Sequence, residues 1–115
     1  MQVLFLSNDM VFPSRVAGTA QQLGLQMGIV PVVSGLANRL TADCRLVLID
    51  LGLPNLDLAS VLAQVKAVAP EAKTVAFGPH VDELLLSNAV AAGCTMVLTK
   101  GQFNQGFGQI LQQVV

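Results

Sequence analysis

The fold is decided by the stretch LVLIDLGLPNLD, residues 46–57. Its first four residues are all apolar, and such an uninterrupted run favours a strand that is covered on both faces by helices. Asp50 ends the run. Asp57 can cap a helix that starts at Leu58 and ends before Pro70, because a side-chain carboxylate accepts hydrogen bonds from the first turn of a helix. The stretch therefore predicts one strand-to-helix unit of a parallel sheet.

Strand and helix patterns alternate in the same way along the rest of the chain. Strands are predicted at Val3–Leu6, Gln26–Val33, Arg45–Asp50, Lys73–Phe77 and Thr95–Leu98. Apolar residues three and four apart predict a helix after each strand. The predicted inward faces are Val16, Ala20 and Leu23; the short segment Leu36–Leu40; Leu58, Val61, Leu62 and Val65; Leu85, Leu86, Ala89 and Val90; and Phe103, Phe107, Ile110, Leu111 and Val114.

Polar or flexible residues mark the predicted helix ends. Ser14 is a candidate cap for the first helix, and Gly24 can end it in the left-handed conformation. The fourth helix is predicted over about Val81–Ala92, with Gly93 at its end.

Five strand-helix units predict a three-layer α/β fold with a doubly wound parallel sheet in the order 2-1-3-4-5, because right-handed crossovers leave few alternatives. This is the flavodoxin-like arrangement. A chain of 115 residues suits one domain, so residues 1–115 are expected to form a single unit. In such sheets a ligand site lies beyond the carboxyl ends of the strands. The residues predicted to meet there are Ser7, Asn8, Asp9, Asp50, Gly78, His80 and Lys100.

Composition excludes several classes of function. The net charge is -1 and the basic residues are scattered, so the basic surface of a nucleic-acid-binding protein is absent. Polar residues interrupt the longest uncharged stretch, which argues against a membrane span. With no leader pattern after Met1, a cytoplasmic location is expected. Cys44 and Cys94 lack metal or redox spacing and are expected to be buried thiols.

Two segments resemble the response-regulator receiver family. Residues 46–57 are similar to the family's phosphoacceptor segment, an apolar strand followed by D-x-x-[ML]-P-x-[ML]-D. Residues 91–100, AAGCTMVLTK, look like its A-x-G-A-x-x-Y-L-x-K. The resemblance spans nearly the whole chain. It implies that Asp50 takes the phosphoacceptor position and that Lys100 takes the position that pairs with the phosphoryl group.

The departures from that pattern bear on function. Receivers end strand one with two acids that hold Mg²⁺, whereas this chain has Ser7 and Asn8, with Asp9 one residue later. The hydroxyl residue after strand four is replaced by Gly78. The aromatic residue on strand five is replaced by Val97, and the proline after the lysine by Gly101.

Each candidate residue has two interpretations. Asp50 is either a phosphoacceptor or an inherited residue paired with Lys100, and the pairing is favoured. Asp9 could complete an Mg²⁺ site with Asp50, or it could hydrogen-bond its own backbone in a solvated turn, which is favoured. His80 could be a ligand or general base on the rim, but a surface role is favoured.

The leading hypothesis is a non-enzymatic receiver-like signalling domain with an incomplete phosphorylation site and no bound cofactor. It would act by contact with a protein partner, or with itself, through the face of helix four, strand five and helix five. Phe103 and Phe107 are the interface candidates, because interface centres are rich in aromatic residues. Two alternatives stay open: a working receiver that uses Asp50 with Mg²⁺, and a flavodoxin-like domain that binds a small ligand at the rim or serves as an enzyme subunit.

Overall fold

A computed structural model describes all 115 residues as strands that alternate with helices. The strands are β1 (Val3–Leu6), β2 (Met27–Val30), β3 (Leu46–Asp50), β4 (Lys73–Gly78) and β5 (Met96–Thr99). The helices are α1 (Phe12–Gln22), α2 (Leu36–Arg39), α3 (Leu58–Val68), α4 (Glu83–Ala92) and α5 (Lys100–Gln112), with a 3-10 turn at Val33–Gly35 before α2. None of these helices is long and apolar enough to cross a membrane.

The sheet is parallel throughout, with the order β2-β1-β3-β4-β5. This confirms the predicted fold class and strand order. The register places Leu6 opposite Ile49, so β1 and β3 end side by side. The strand order reverses between these two strands, and their carboxyl ends therefore form the predicted rim.

Two apolar layers sandwich the sheet. Alternate strand residues such as Leu4 and Val47 pack on one face beneath α2, α3 and α4. Their neighbours, among them Phe5 and Leu48, pack on the other face beneath α1 and α5. Every residue of β1 is buried, as are the first four residues of β3. These runs are apolar throughout because helices cover both faces of the strands, which confirms the prediction.

All five phenylalanines meet in the layer that holds α1 and α5. The rings of Phe77 and Phe103 stack with centroids 4.4 Å apart, and Phe5 meets both rings edge-on. Stacked and edge-on pairs are the arrangements that the charge distribution of aromatic rings favours. These contacts join α5 to the centre of the sheet.

Several predicted boundaries are wrong by a few residues. Helix α1 begins at Phe12, and Ser14 lies inside it, where its hydroxyl donates to the carbonyl of Met10. Strand β2 ends at Val30 because Pro31 has no N–H for a further ladder bond. Helix α4 begins at Glu83, since Asp82 caps it by accepting from the Leu85 N–H.

Other predicted boundaries are confirmed. Asp57 caps α3, because its side chain accepts from the Ser60 N–H at 3.2 Å. Gly24 and Gly93 follow α1 and α4 with φ values of 77° and 103°, in the left-handed region that glycine enters without steric cost.

Two predictions of burial need correction. Val90 was expected to face inward but is 63% exposed, because α4 covers only the edge of the sheet and turns this position outward. Cys44 is buried as expected, whereas Cys94 is only half-buried in the turn before β5. Burial raises the pKa of both thiols.

Candidate functional site

Asp50 lies at the carboxyl end of β3, with both side-chain oxygens hydrogen-bonded. The Ser7 hydroxyl donates to Oδ2 at 2.8 Å, and the Gly52 N–H donates to Oδ1 at 2.9 Å. Ser7 is 1% exposed, so this contact is sheltered from water. It follows from the sheet register, because Ser7 directly follows β1 and Asp50 ends the neighbouring strand.

Asp9 occupies the turn between β1 and α1. Its Oδ1 accepts from the N–H groups of Val11 at 2.9 Å and Phe12 at 3.4 Å. These bonds hold the pKa of Asp9 below its usual value, and the charge of Lys100 lowers it slightly further. Asp9 thus matches the second of its two interpretations, that of a turn residue that hydrogen-bonds to the nearby backbone.

The predicted ion pair between Asp50 and Lys100 is absent. The structure contains one salt bridge. It joins the N-terminal amine to Asp43 at the amino ends of the strands, away from the rim. Lys100 is exposed at the first position of α5. A hydroxyl and a backbone N–H, from Ser7 and Gly52, are the donors to Asp50 instead.

A capping box fixes the start of α5. The Thr99 hydroxyl accepts from the Gln102 N–H at 3.1 Å, and the Gln102 side chain accepts from the Thr99 N–H at 2.9 Å. These reciprocal bonds satisfy two backbone donors at the helix start.

Leucine side chains surround the position of Gly78 at the end of β4. A Cβ atom added there would lie 3.4 Å from Leu85 and 3.5 Å from both Leu51 and Leu86. A methyl group would fit, but a hydroxyl would be enclosed by hydrocarbon. The predicted rim therefore has an apolar side. The sequence analysis did not predict it, because it considered mainly the polar residues at the strand ends.

Asn8 and His80 also lie at the carboxyl ends of the strands, but they are not part of the hydrogen-bond network of Ser7, Asp9 and Asp50. Both are exposed, and neither side chain makes a hydrogen bond. Moreover, the structure contains no group of three His, Cys, Asp or Glu side chains close enough to hold a metal ion. The sequence thus placed the rim residues on one edge, but only Ser7, Asp9 and Asp50 are linked by hydrogen bonds.

The interface candidates on α5 need revision. Phe103 is fully buried against Phe77, so it cannot contact a partner, and Phe107 is half-buried between α1 and α5. Val90 on α4 and Met96 on β5 are exposed instead. Sequence reasoning singled out neither: Val90 was assigned to the inward face of its helix, and Met96 was predicted only as part of the fifth strand.

No family model and no curated protein matches this sequence. Solved structures do match its fold. The receiver domain of NtrX from Brucella abortus is 19% identical, with a TM-score of 0.72 over 97% of this chain and 96% of that one. The beryllofluoride-activated DrrB receiver domain is 17% identical, with a TM-score of 0.80 over 97% and 94%. The beryllofluoride-activated NtrC4 receiver domain dimer is 13% identical, with a TM-score of 0.76 over 100% of both chains.

These similarities identify the architecture. The chain has the α/β fold of response-regulator receiver domains, also called the CheY-like fold.

Proposed function

We propose that this chain is a receiver-like signalling domain that acts by protein contact and is not switched by phosphorylation of Asp50. One observation carries the proposal: both oxygens of the Asp50 carboxylate are bound within the protein, by Ser7 and Gly52. A carboxylate that attacks a phosphoryl group needs a metal and a cation to offset the charge of the reactants. Here a hydroxyl and a backbone N–H occupy one acceptor position on each oxygen instead.

The oxygen atoms available at the carboxyl ends of the strands support a site that does not bind Mg²⁺. Mg²⁺ demands near-octahedral oxygen ligands and is usually bound through carboxylates. Ser7 supplies a hydroxyl that already donates to Asp50, and the Oδ1 of Asp9 accepts two N–H groups at the start of α1. The residues present therefore do not fit an Mg²⁺ site of the receiver type.

The packing at Gly78 supports a fixed position for α4. In receivers the hydroxyl at this position reorients toward the phosphoryl group, as the family resemblance implies. Here Leu85 and Leu86 of α4 border the space beside Gly78 instead, 3.4 and 3.5 Å from where a Cβ atom would lie. An apolar contact of this kind has no group that could respond to a phosphoryl oxygen.

The contact surface that we propose is the face of α4 and β5. Strand β5 is at the edge of the sheet and pairs only with β4. Val90 and Met96 are exposed on these two elements. Together with an unpaired strand edge, exposed apolar side chains of this kind mark sites of association. The beryllofluoride-activated NtrC4 receiver domain, which shares the fold, is a dimer. From the exposed face we expect this chain to bind a second copy of itself. The independence from Asp50 rests on the hydrogen-bonded state of that carboxylate.

Light scattering tests this proposal. Wild type and Asp50→Ala should show the same mass, above that of the monomer. Val90→Glu combined with Met96→Glu should return the mass to the monomer, because it places charge in the contact. The matched control is Val32→Glu, which adds a charge at a residue that is also exposed but follows β2 at the other edge. A monomeric wild type, or a mass that depends on Asp50, would contradict the proposal.

The domain organisation and location belong to the same proposal. We expect residues 1–115, which contribute to a single five-stranded sheet and its covering helices, to act as one non-enzymatic unit in the cytoplasm.

A further inference from the structure

A cavity of about 300 Å³ lies between the start of α1 and the start of α5, beside the hydrogen-bond network of Ser7, Asp9 and Asp50, with which it shares Asp9. Its lining includes Asp9, Phe12, Arg15, Lys100, Gly101 and Asn104. Asp50 and Gly78 do not line it. Two of the six basic residues of the chain thus share one small cavity.

Arg15 is held in place on the α1 side of this cavity. Its guanidinium lies 5.8 Å from the centroid of the Phe12 ring, and its Nη1 donates to Oδ1 of Asn104 at 3.0 Å. A guanidinium has five N–H donors in a planar fork, so most of them stay available. The Nδ2 amide of Asn104 also stays free to donate.

The α5 side adds a second cation and backbone donors. Lys100 and Gly101 occupy the first turn of α5, where N–H groups have no intrahelical acceptor. Gly101, unlike a proline, carries a backbone N–H at this position.

The charges at the cavity are unbalanced. Arg15 and Lys100 make no salt bridge. Asp9 is the one carboxylate in the lining, and its Oδ1 is already bound to the N–H groups of Val11 and Phe12. The lining therefore carries two cations, neither of which forms a salt bridge, and one carboxylate, so it is positive on balance.

We propose that this cavity binds a small molecule that carries a phosphate group. A phosphate has several oxygens on a tetrahedral centre, and it can accept together from a guanidinium, an ammonium and a helix N-terminus. The volume is at the lower end of ligand pockets, which suits a small phosphate monoester rather than a dinucleotide. The site does not depend on the proposed function, because none of its residues belongs to the proposed contact face.

Titration of the ¹⁵N-labelled full chain with inorganic phosphate tests the site. Saturable shifts are expected for the Gly101 backbone amide and the Asn104 side-chain amide. Arg15→Gln and Lys100→Gln should each weaken binding about tenfold, since each removes a charge-assisted hydrogen bond. The matched control is Arg45→Gln, which removes an equal charge from an exposed residue at the amino end of β3 and should bind like wild type. Titration with glycerol phosphate then shows whether an ester binds more tightly than free phosphate.

The same experiment can overturn the proposal. It fails if the shifts do not saturate, if they spread over all basic residues, or if Arg45→Gln weakens binding as much as Arg15→Gln does. A thermal-shift series guards against misfolded variants. Phosphate should raise the melting temperature of wild type and Arg45→Gln but not of the two cavity variants, because a ligand stabilises only the fold that binds it.

Discussion

Replacing Ser7 by alanine should destabilise the protein by more than its small size suggests. The side chain is 1% exposed, and its hydroxyl donates to the Asp50 carboxylate at 2.8 Å. It also accepts from the N–H of Asp9 at 3.1 Å. Hydrogen bonds to charged groups contribute about 1.5–3 kcal/mol, so we expect a loss of about 2 kcal/mol in the free energy of unfolding. For a domain of this size that corresponds to a melting temperature lowered by about 8 °C.

Urea denaturation followed by circular dichroism measures this loss, since the chain has no tryptophan or tyrosine for fluorescence. The control is Ser87→Ala on α4, where the serine is exposed and makes no hydrogen bond; its effect should stay within about 0.5 kcal/mol. A double-mutant cycle with Asp50→Ala isolates the contact, and residues in one network couple by about 0.5–3 kcal/mol. A Ser7→Ala variant as stable as the control, or a coupling of zero, would refute the assignment of Ser7 as the partner of Asp50.

Three further predictions concern stability. Phe103→Ala should cost about 3–5 kcal/mol in chemical denaturation, because it empties a fully buried ring position against Phe77; a loss below about 1 kcal/mol would contradict the burial. Gly78→Ser should be about 1–3 kcal/mol less stable than Gly78→Ala, because leucines enclose the added hydroxyl; equal urea midpoints would contradict that packing. Asp9 has a lowered pKa, so its stabilising effect is present above the unfolded pKa of about 3.9 and is lost as pH falls through the folded value. Asp9→Asn should therefore flatten the loss of stability below about pH 4, and an unchanged pH profile would argue against the Asp9 bonds.

The fold could be predicted from sequence because its signals are local. Nearly all-apolar runs marked β1, β3 and β4, and caps such as Asp57 marked helix starts. The burial of individual helix residues was harder to predict. Val90 fits the inward period of α4, but α4 lies over the sheet edge, and nothing local in the sequence specifies that position.

The candidate site was predicted in its location but not in its contacts. Asp50 was paired with Lys100 because their charges are opposite, whereas its donors are an uncharged hydroxyl and a backbone N–H. The signal for Ser7 was available, since the predicted order places the ends of β1 and β3 side by side. The leucines around Gly78 come from the segment after β3 and from α4, so only the assembled structure brings them together.

The central claim is that the signalling face does not respond to chemistry at Asp50. The most direct test is to record the amide NMR spectrum of the ¹⁵N-labelled wild type before and after addition of Mg²⁺ and beryllofluoride, which mimics a phosphoryl group on aspartate. We predict that the resonances of α4, β5 and α5 stay unchanged. Saturable shifts at Asp50 that extend to Val90 and Met96 would contradict the account and would identify the chain as a phosphorylation-dependent receiver.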